Sequence, residues 1–227
     1  MSACKPMWDQ CILKEKFFHV TPVTEPKPGN INGTQLIHSK VIASYCASFC
    51  ANDLQYAPFR MEGMEQDVRE MMEIDTPQGK LALQIGGTID RLDSKGDTLR
   101  IVDYKTGGTP KTPENIEQLF TPADNRPNYI FQTFLYAAIL CRKQSLKVAP
   151  SLLYIHRAAS ESYSPVIEMG APRQPKVPVN NFAFFEDEFR ERLHGLLQEI
   201  FSQEETFSQT EDTRKCEYCD FRSLCKR

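Results

Sequence analysis

The sequence lacks long apolar runs and a large excess of either charge. No stretch reaches the ~18 consecutive apolar residues that a membrane-spanning helix needs. The first ten residues, MSACKPMWDQ, lack the apolar core of a secretory signal. The formal net charge is -3, so no overall basic footprint would attract a polyanion. We therefore expect a cytoplasmic protein without a membrane partner, and any nucleic acid would have to bind in a local groove or through metal ions.

A phosphate-binding loop of the G-x-x-x-x-G-K-[ST] type is also absent, so the sequence does not predict a nucleotide-driven motor. The remaining composition is ordinary for one sizeable α/β domain: 227 residues, of which 41% are apolar and 25% charged. The eight cysteines of an expected cytoplasmic chain indicate free thiols or metal ligands rather than a disulfide framework.

The clearest local pattern is a β-hairpin over residues 86–107, GGTIDRLDSKGDTLRIVDYKTG. Apolar and β-branched residues recur on both arms, and the SKGD sequence between them is typical of a turn. Asp103 and Lys105 are two residues apart and so share one face of a strand, while Asp90 lies near the outer end of the other arm. These charges could hold a divalent cation beside a phosphate, or they could simply face water.

Apolar periodicity predicts the remaining elements. Helices are predicted at residues 35–53, 127–143 and 185–200. Strands are predicted at residues 57–74, before the hairpin, and at 150–156, after it, whereas residues 107–127 indicate a long loop. The order of helix, strands, helix, strand and helix predicts an α/β fold with a central mixed β-sheet flanked by helices.

Three cysteines lie close together in the C-terminal sequence KCEYCDFRSLCKR. Cys216, Cys219 and Cys225 have C-x2-C-x5-C spacing, which suits a zinc ion or an iron-sulfur cluster, although three unconnected thiols would give the same pattern. A fourth ligand would have to be distant, and Cys4 and Cys11 are candidates. Residues expected in the core instead are Cys46, Cys50 and Cys141, which fall in helical patterns.

Gln132 and Tyr136 are four residues apart in the second predicted helix and so share one face. By spacing alone they could be site residues, or a core aromatic with an incidental neighbour. Basic residues near the hairpin and in the tail could bind phosphates or face solvent. They are Arg91, Arg100, Lys105, Lys111, Arg214, Lys215, Arg222, Lys226 and Arg227.

Together these segments resemble the RecB-like branch of the PD-(D/E)XK nuclease superfamily. The resemblance rests on GGTIDRLD, IVDYKTG, QTFLY on a helix and the cysteine tail, in that order, over about residues 58–227. It implies a restriction-endonuclease-like fold. The domains expected from it are an N-terminal extension or remnant of a larger nuclease module at residues 1–34, a nuclease core at 35–205 and a cysteine-rich tail at 206–227.

The resemblance also implies roles for the residues that match the family motifs. The catalytic set would be Asp90, Asp103, Lys105, Gln132 and Tyr136. The ligands of Mg²⁺ or Mn²⁺ would be Glu65, Asp90, Asp103 and the carbonyl of Tyr104, with Glu62 as an alternative to Glu65. Cys216, Cys219 and Cys225 would bind a four-iron iron-sulfur cluster whose fourth ligand is uncertain, with zinc as the alternative metal.

The implied activity is metal-dependent hydrolysis of DNA, by an exonuclease of DNA repair or recombination that works with a helicase. The cation would activate a water, and Lys105 would orient that water or stabilise the transition state. This branch usually carries a histidine ligand on an N-terminal helix, preceded by a first cluster cysteine; the sequence shows no clear equivalent of either, although His38 at the start of a helix could act. That departure favours an alternative, a catalytically weak or inactive module that binds DNA or serves as a scaffold.

Overall fold

The computed structural model describes residues 32–123, 125–158, 160, 162–201 and 208–227. The chain divides into two units, the first ending at Ser44 and the second running from Tyr45 to Arg227. Helix α1 is Gly33–Tyr56. None of the helices among these residues is both long and apolar enough to cross a membrane.

A four-stranded mixed sheet forms the centre of the second unit. Its strands are β1 Arg60–Thr76, β2 Gly79–Lys95, β3 Thr98–Lys105 and β4 Lys147–Tyr154. They lie in the order β1-β2-β3-β4, with the first three antiparallel and β4 parallel to β3. Two short strands pair separately, β5 Glu168–Met169 and β6 Val177–Pro178.

Four further helices follow among the described residues of the second unit; the first three pack in the core beside this sheet, and the last lies in the exposed C-terminal segment. They are α2 Glu117–Phe120, α3 Asn128–Cys141, α4 Glu186–Phe201 and α5 Arg222–Cys225. Short 3-10 turns cover Ile155–Arg157, Phe182–Phe184 and Thr213–Cys216. The mixed sheet with flanking helices confirms the fold class that the sequence predicts.

The core forms where α3 and α4 cover the sheet. Phe134 of α3, Phe189 of α4 and Phe182 are fully buried, and their ring centroids lie 4.9 to 6.2 Å apart. Aromatic side chains at this spacing bury large apolar areas and contact one another edge to face. Every residue of β4 after Lys147 is buried, as expected for a parallel strand with both faces covered.

Two expectations from the sequence are wrong in detail. The predicted loop at residues 107–127 contains helix α2, because Ile116 and Leu119 are buried in the core. Among the cysteines expected in the core, Cys46 is exposed, because it lies on the solvent-facing side of α1. Cys50 is half-buried, and Cys141 is half-buried and packs against the core.

A buried group of charges joins β2 and β3. Asp93 is fully buried and accepts hydrogen bonds from Arg91 Nε at 3.0 Å and from Arg100 Nε at 2.9 Å. Both arginines are only 4% exposed. They neutralise Asp93 and cannot reach a nucleic acid, so the expectation that they bind phosphates is wrong.

Candidate active site

Asp90 and Asp103 lie beside each other where the pairing of β2 with β3 ends. The last register pair is Arg91 with Val102, so the two aspartates come next on adjacent strands. The main-chain N–H of Tyr104 donates a hydrogen bond of 2.7 Å to Asp90 Oδ2, which fixes the orientation of that carboxylate. The two aspartates are neighbours because the tight turn predicted for the hairpin sets this register.

Asp103 carries a buried oxygen that no hydrogen bond uses. Its side chain is almost fully buried, and Oδ2 accepts no hydrogen bond from the residues that the structure describes. Lys105 Nζ lies 2.5 Å from that oxygen and forms an ion pair with it. Burial raises the pKa of Asp103, and the charge of Asp90 adds to the rise, while Lys105 opposes it.

Lys105 connects these carboxylates to helix α3. Its ammonium donates to Gln132 Oε1 at 3.3 Å, and Gln132 Nε2 donates to the hydroxyl of Tyr136 at 3.0 Å. Tyr136 is also a core residue, 5% exposed, as one of the two interpretations of this pair expected, and its role in the site stays a prediction. Helix α3 can approach this closely because β2 has Gly87 here, where an added Cβ would lie 2.7 Å from the Tyr136 hydroxyl.

Tyr104 is held from its other side by the buried charges. Its hydroxyl accepts a hydrogen bond of 3.2 Å from Arg91, whose guanidinium also donates to Asp53 at 2.8 Å. The Tyr104 ring packs edge to face on Phe49, with centroids 4.9 Å apart. These contacts hold the strand segment that carries Asp103 and the N–H bound to Asp90.

The expected upstream acidic ligand is less closely held. Glu65 is exposed and has a positive φ of 48°. It lies between the register pairs Met64–Arg91 and Gln66–Ile89, and so runs alongside Asp90. Glu62 accepts a hydrogen bond from Ser94, a residue closer to the hairpin turn than Asp90.

The C-terminal cysteines do not form a closed metal site with one another. Cys216 and Cys225 are half-buried and Cys219 is exposed. Across the parts of the chain that are described, no three side chains of His, Cys, Asp or Glu are placed to hold a metal ion. Cys4 and Cys11 lie outside those parts. The described cysteines therefore do not fit an iron-sulfur cluster by themselves.

A hard divalent cation does fit the carboxylate pair. Mg²⁺ is commonly bound by only one or two carboxylates and completes its shell with water and substrate phosphate. Asp90 and Asp103 supply two carboxylates side by side, and the buried Oδ2 of Asp103 faces the ammonium of Lys105 as its ion-pair partner. The carboxylates that could hold Mg²⁺ or Mn²⁺ are therefore those of Asp90 and Asp103, whereas Glu65 and the carbonyl of Tyr104 stay predicted ligands.

The sequence patterns above did not indicate two features of the site. The ammonium of Lys105 lies 4.5 Å from the centroid of the Tyr129 ring, a cation–π contact. Tyr129 is three residues before Gln132 in α3, so their shared helix face could have indicated it. The Arg91–Asp93 pair gave no such signal, because its burial depends on residues distant in sequence.

His38, the histidine considered as a possible metal ligand, lies in the first unit and is exposed.

The comparison with known protein families agrees with the fold and this arrangement of residues. A family model described as the PD-(D/E)XK nuclease superfamily matches residues 6–226, and so extends further toward the N-terminus than the motifs noted above. The chain belongs to the PD-(D/E)XK nuclease superfamily, whose members are generally nucleases that use divalent metals. No curated protein matches the sequence.

Proposed function

We propose that this protein is a Mg²⁺- or Mn²⁺-dependent deoxyribonuclease whose catalytic centre lies between β2, β3 and α3. The observation that carries the proposal is the contact of buried Asp103 with Lys105, beside Asp90. Clustered carboxylates cost stability through desolvation and repulsion, so a purely structural role gives little reason to bring them together. That argument favours an enzyme over an inactive scaffold.

The side chains divide the work of phosphodiester hydrolysis among them. Bound Mg²⁺ or Mn²⁺ supplies an activated water and neutralises charge on the phosphate. Lys105 stabilises the negative charge that develops on the phosphate oxygens, as a compact point charge in a partly buried site. Gln132 and Tyr136 hold the ammonium of Lys105 in position, and the N–H of Tyr104 holds Asp90.

Further parts of the proposal rest on the resemblance to the RecB-like branch. They are an exonuclease mode of cleavage, a role in DNA repair or recombination, and a helicase as partner. An iron-sulfur cluster on Cys216, Cys219 and Cys225 also belongs here, and it requires a ligand beyond the described residues. Iron and acid-labile sulfide in protein purified without oxygen would support the cluster, whereas stoichiometric zinc would support the alternative metal.

Replacing Lys105 with methionine tests the proposed activity. We expect Lys105→Met to abolish cleavage of labelled single- and double-stranded DNA in Mn²⁺ while binding of the cation persists, because methionine keeps the bulk of the side chain and removes its charge. The matched control is Lys80→Met, since Lys80 is exposed and forms an ion pair with exposed Glu73. Equal cleavage by wild type and Lys105→Met would overturn the proposal.

Replacing Gly87 with alanine tests the support that Tyr136 gives. The added Cβ would displace the Tyr136 hydroxyl, and with it Gln132, from Lys105. We expect cleavage to slow by up to about 100-fold, because displacements of about 1 Å have effects of that size. Overpacking should also lower the free energy of unfolding by about 1–3 kcal/mol.

The control for this prediction is Gly195→Ala in α4. An added Cβ there meets nothing within 4 Å, so alanine should stabilise the helix by about 0.5–1 kcal/mol and leave cleavage unchanged. Full activity of Gly87→Ala would show that the position of Tyr136 does not matter for cleavage.

A further inference from the structure

A cavity of about 320 Å³ opens next to Lys105. Its volume is at the lower end of the range of about 300–1,000 Å³ that is usual for small-molecule sites. Tyr129, which contacts Lys105, forms part of its wall, and so does Tyr154, the register partner of Lys105 on β4. The other residues that matter here are Gly108, Lys111 and Arg126. Nothing in the mechanism above uses this space.

Tyr154 lines the cavity with a side chain that carries a hydroxyl donor. The side chain is 3% exposed, yet its hydroxyl makes no hydrogen bond within the part of the chain that the structure describes. Burial raises the pKa of Tyr154 to about 12, so the hydroxyl keeps its proton at neutral pH. This hydroxyl is not among the buried atoms that lack a partner, so it is open to solvent, and a ligand with an acceptor oxygen could take its hydrogen bond.

Gly108 keeps the space between two aromatic rings open. Its φ of 81° is in the left-handed region, which favours glycine. A Cβ at this position would lie 3.2 Å from Tyr129 Cε2 and 3.8 Å from Tyr154 Cε1, and a side chain would therefore occupy the gap. Tyr129 itself is 42% exposed, so a flat group entering from solvent can reach its ring.

The cavity also carries two cations that form no ion pair with a carboxylate among the described residues. Lys111 Nζ donates to the main-chain carbonyls of Asn125 at 2.7 Å and of Arg126 at 3.3 Å. Arg126 Nε donates to the side-chain oxygen of Asn128 at 2.7 Å. Neither cation forms an ion pair with an acidic side chain among the residues described. An anionic group can therefore approach both without displacing a counter-charge.

We propose that this cavity binds one nucleotide of an unpaired nucleic-acid strand next to the phosphate that is cleaved, which makes single strands the preferred substrate. This inference rests on the proposed nuclease function. The base would stack on the face of Tyr129 that Lys105 does not cover. The flanking phosphates would contact Lys111 and Arg126, and Tyr154 would donate to an oxygen of the nucleotide. A base within a duplex is stacked and paired, so it would first have to be extruded.

Binding without divalent metal tests the cavity separately from catalysis. Fluorescence anisotropy in EDTA would compare the full chain on a labelled oligodeoxythymidylate and on a blunt duplex of the same length. Wild type should bind the single strand more tightly. Tyr129→Ala should weaken single-strand binding about 5- to 150-fold, the loss expected for one stacked base, and leave duplex binding unchanged, whereas Tyr129→Phe should match wild type.

Three further variants separate stacking from charge and from loss of folding. Phe184→Ala removes an aromatic ring that is 84% exposed and does not line the cavity, so it should bind like wild type. Tyr154→Phe removes only a hydroxyl, keeps the ring, and should weaken single-strand binding about 10-fold. The double variant Lys111→Gln with Arg126→Gln should reduce the slope of log K against log salt by about 0.7 for each charge.

The results distinguish this inference from the proposed nuclease. Equal affinity of wild type for the two DNAs, or an equal loss on both with Tyr129→Ala, would overturn the nucleotide cavity even if metal-dependent cleavage is found. Single-strand binding that depends on Tyr129, in a protein that cleaves no DNA, would instead support the cavity and refute the nuclease. If Tyr129→Ala does not fold, Tyr154→Phe provides the same comparison.

Discussion

Asp103→Asn is expected to slow DNA cleavage by at least about 1,000-fold without weakening the fold. Asparagine has the shape of aspartate but cannot offer a negatively charged oxygen to a divalent cation. Charge stabilisation by a catalytic metal is worth several kcal/mol, and each 1.36 kcal/mol corresponds to a factor of ten in rate. The loss should be measured as the initial rate of cleavage of labelled DNA in Mg²⁺ and in Mn²⁺.

The stability of this variant follows from the pKa of Asp103. Burial raises that pKa, and Asp90 adds to the rise, so the folded protein disfavours the ionised carboxyl relative to the unfolded chain. A neutral side chain of the same size removes that penalty. We therefore expect the midpoint of urea unfolding of Asp103→Asn to equal or exceed that of wild type at neutral pH.

A matched control is Asp97→Asn in the hairpin turn. Asp97 is exposed and pairs with Lys147 at 2.7 Å, so its amide variant should cleave at the wild-type rate. Equal cleavage by wild type and Asp103→Asn would remove Asp103 from the catalytic centre. A large fall in stability would instead show that Asp103 has a structural role.

Unlike Asp103→Asn, Asp93→Ala should destabilise the fold, by about 3–5 kcal/mol. The substitution removes the carboxylate that Arg91 and Arg100 share, and it leaves two buried guanidinium groups without that partner. Breaking a buried ion pair from one side has a cost of this size, because the remaining charge stays desolvated. Domains are typically stable by only about 5–15 kcal/mol, so much of the variant would unfold on mild heating.

Chemical unfolding followed by far-UV circular dichroism would measure this loss. Asp97→Ala breaks an ion pair of similar length whose side chains are more than half exposed, and it should therefore lower the free energy of unfolding by no more than about 1 kcal/mol. Equal stability of the two variants would mean that the buried charges contribute no more than the surface pair. In Asp93→Ala, any fall in cleavage should parallel the unfolded fraction.

The hairpin could be predicted because its determinants are local. The turn sequence, the alternation on both arms and the two-residue spacing of Asp103 and Lys105 all act within about 20 residues, and strand geometry converts them directly into a shared face. In the same way, the four-residue spacing of Gln132 and Tyr136 predicted that both side chains share one face of α3. The contacts among these side chains agree with both patterns.

Burial could not be predicted in the same way. Arg91 and Arg100 have the same sequence signature as cations that face solvent, yet they lie under aromatic rings. The guanidinium of Arg100 is 3.5 Å from the centroid of Tyr56, and that of Arg91 is 4.8 Å from that of Phe59. Both rings come from a segment more than thirty residues earlier. Which charges are covered depends on how distant segments pack.

The sequence by itself determined the α/β class, the order of the elements and the motif residues, because periodicity and spacing act through local backbone geometry. The tertiary structure alone decided what each charge does. Asp93 and Asp103 are both buried aspartates of the same hairpin. Asp93 is neutralised by two arginines, whereas Asp103 keeps an oxygen without a hydrogen bond beside Lys105. That difference arises from neighbours on other strands and helices, which no local pattern encodes.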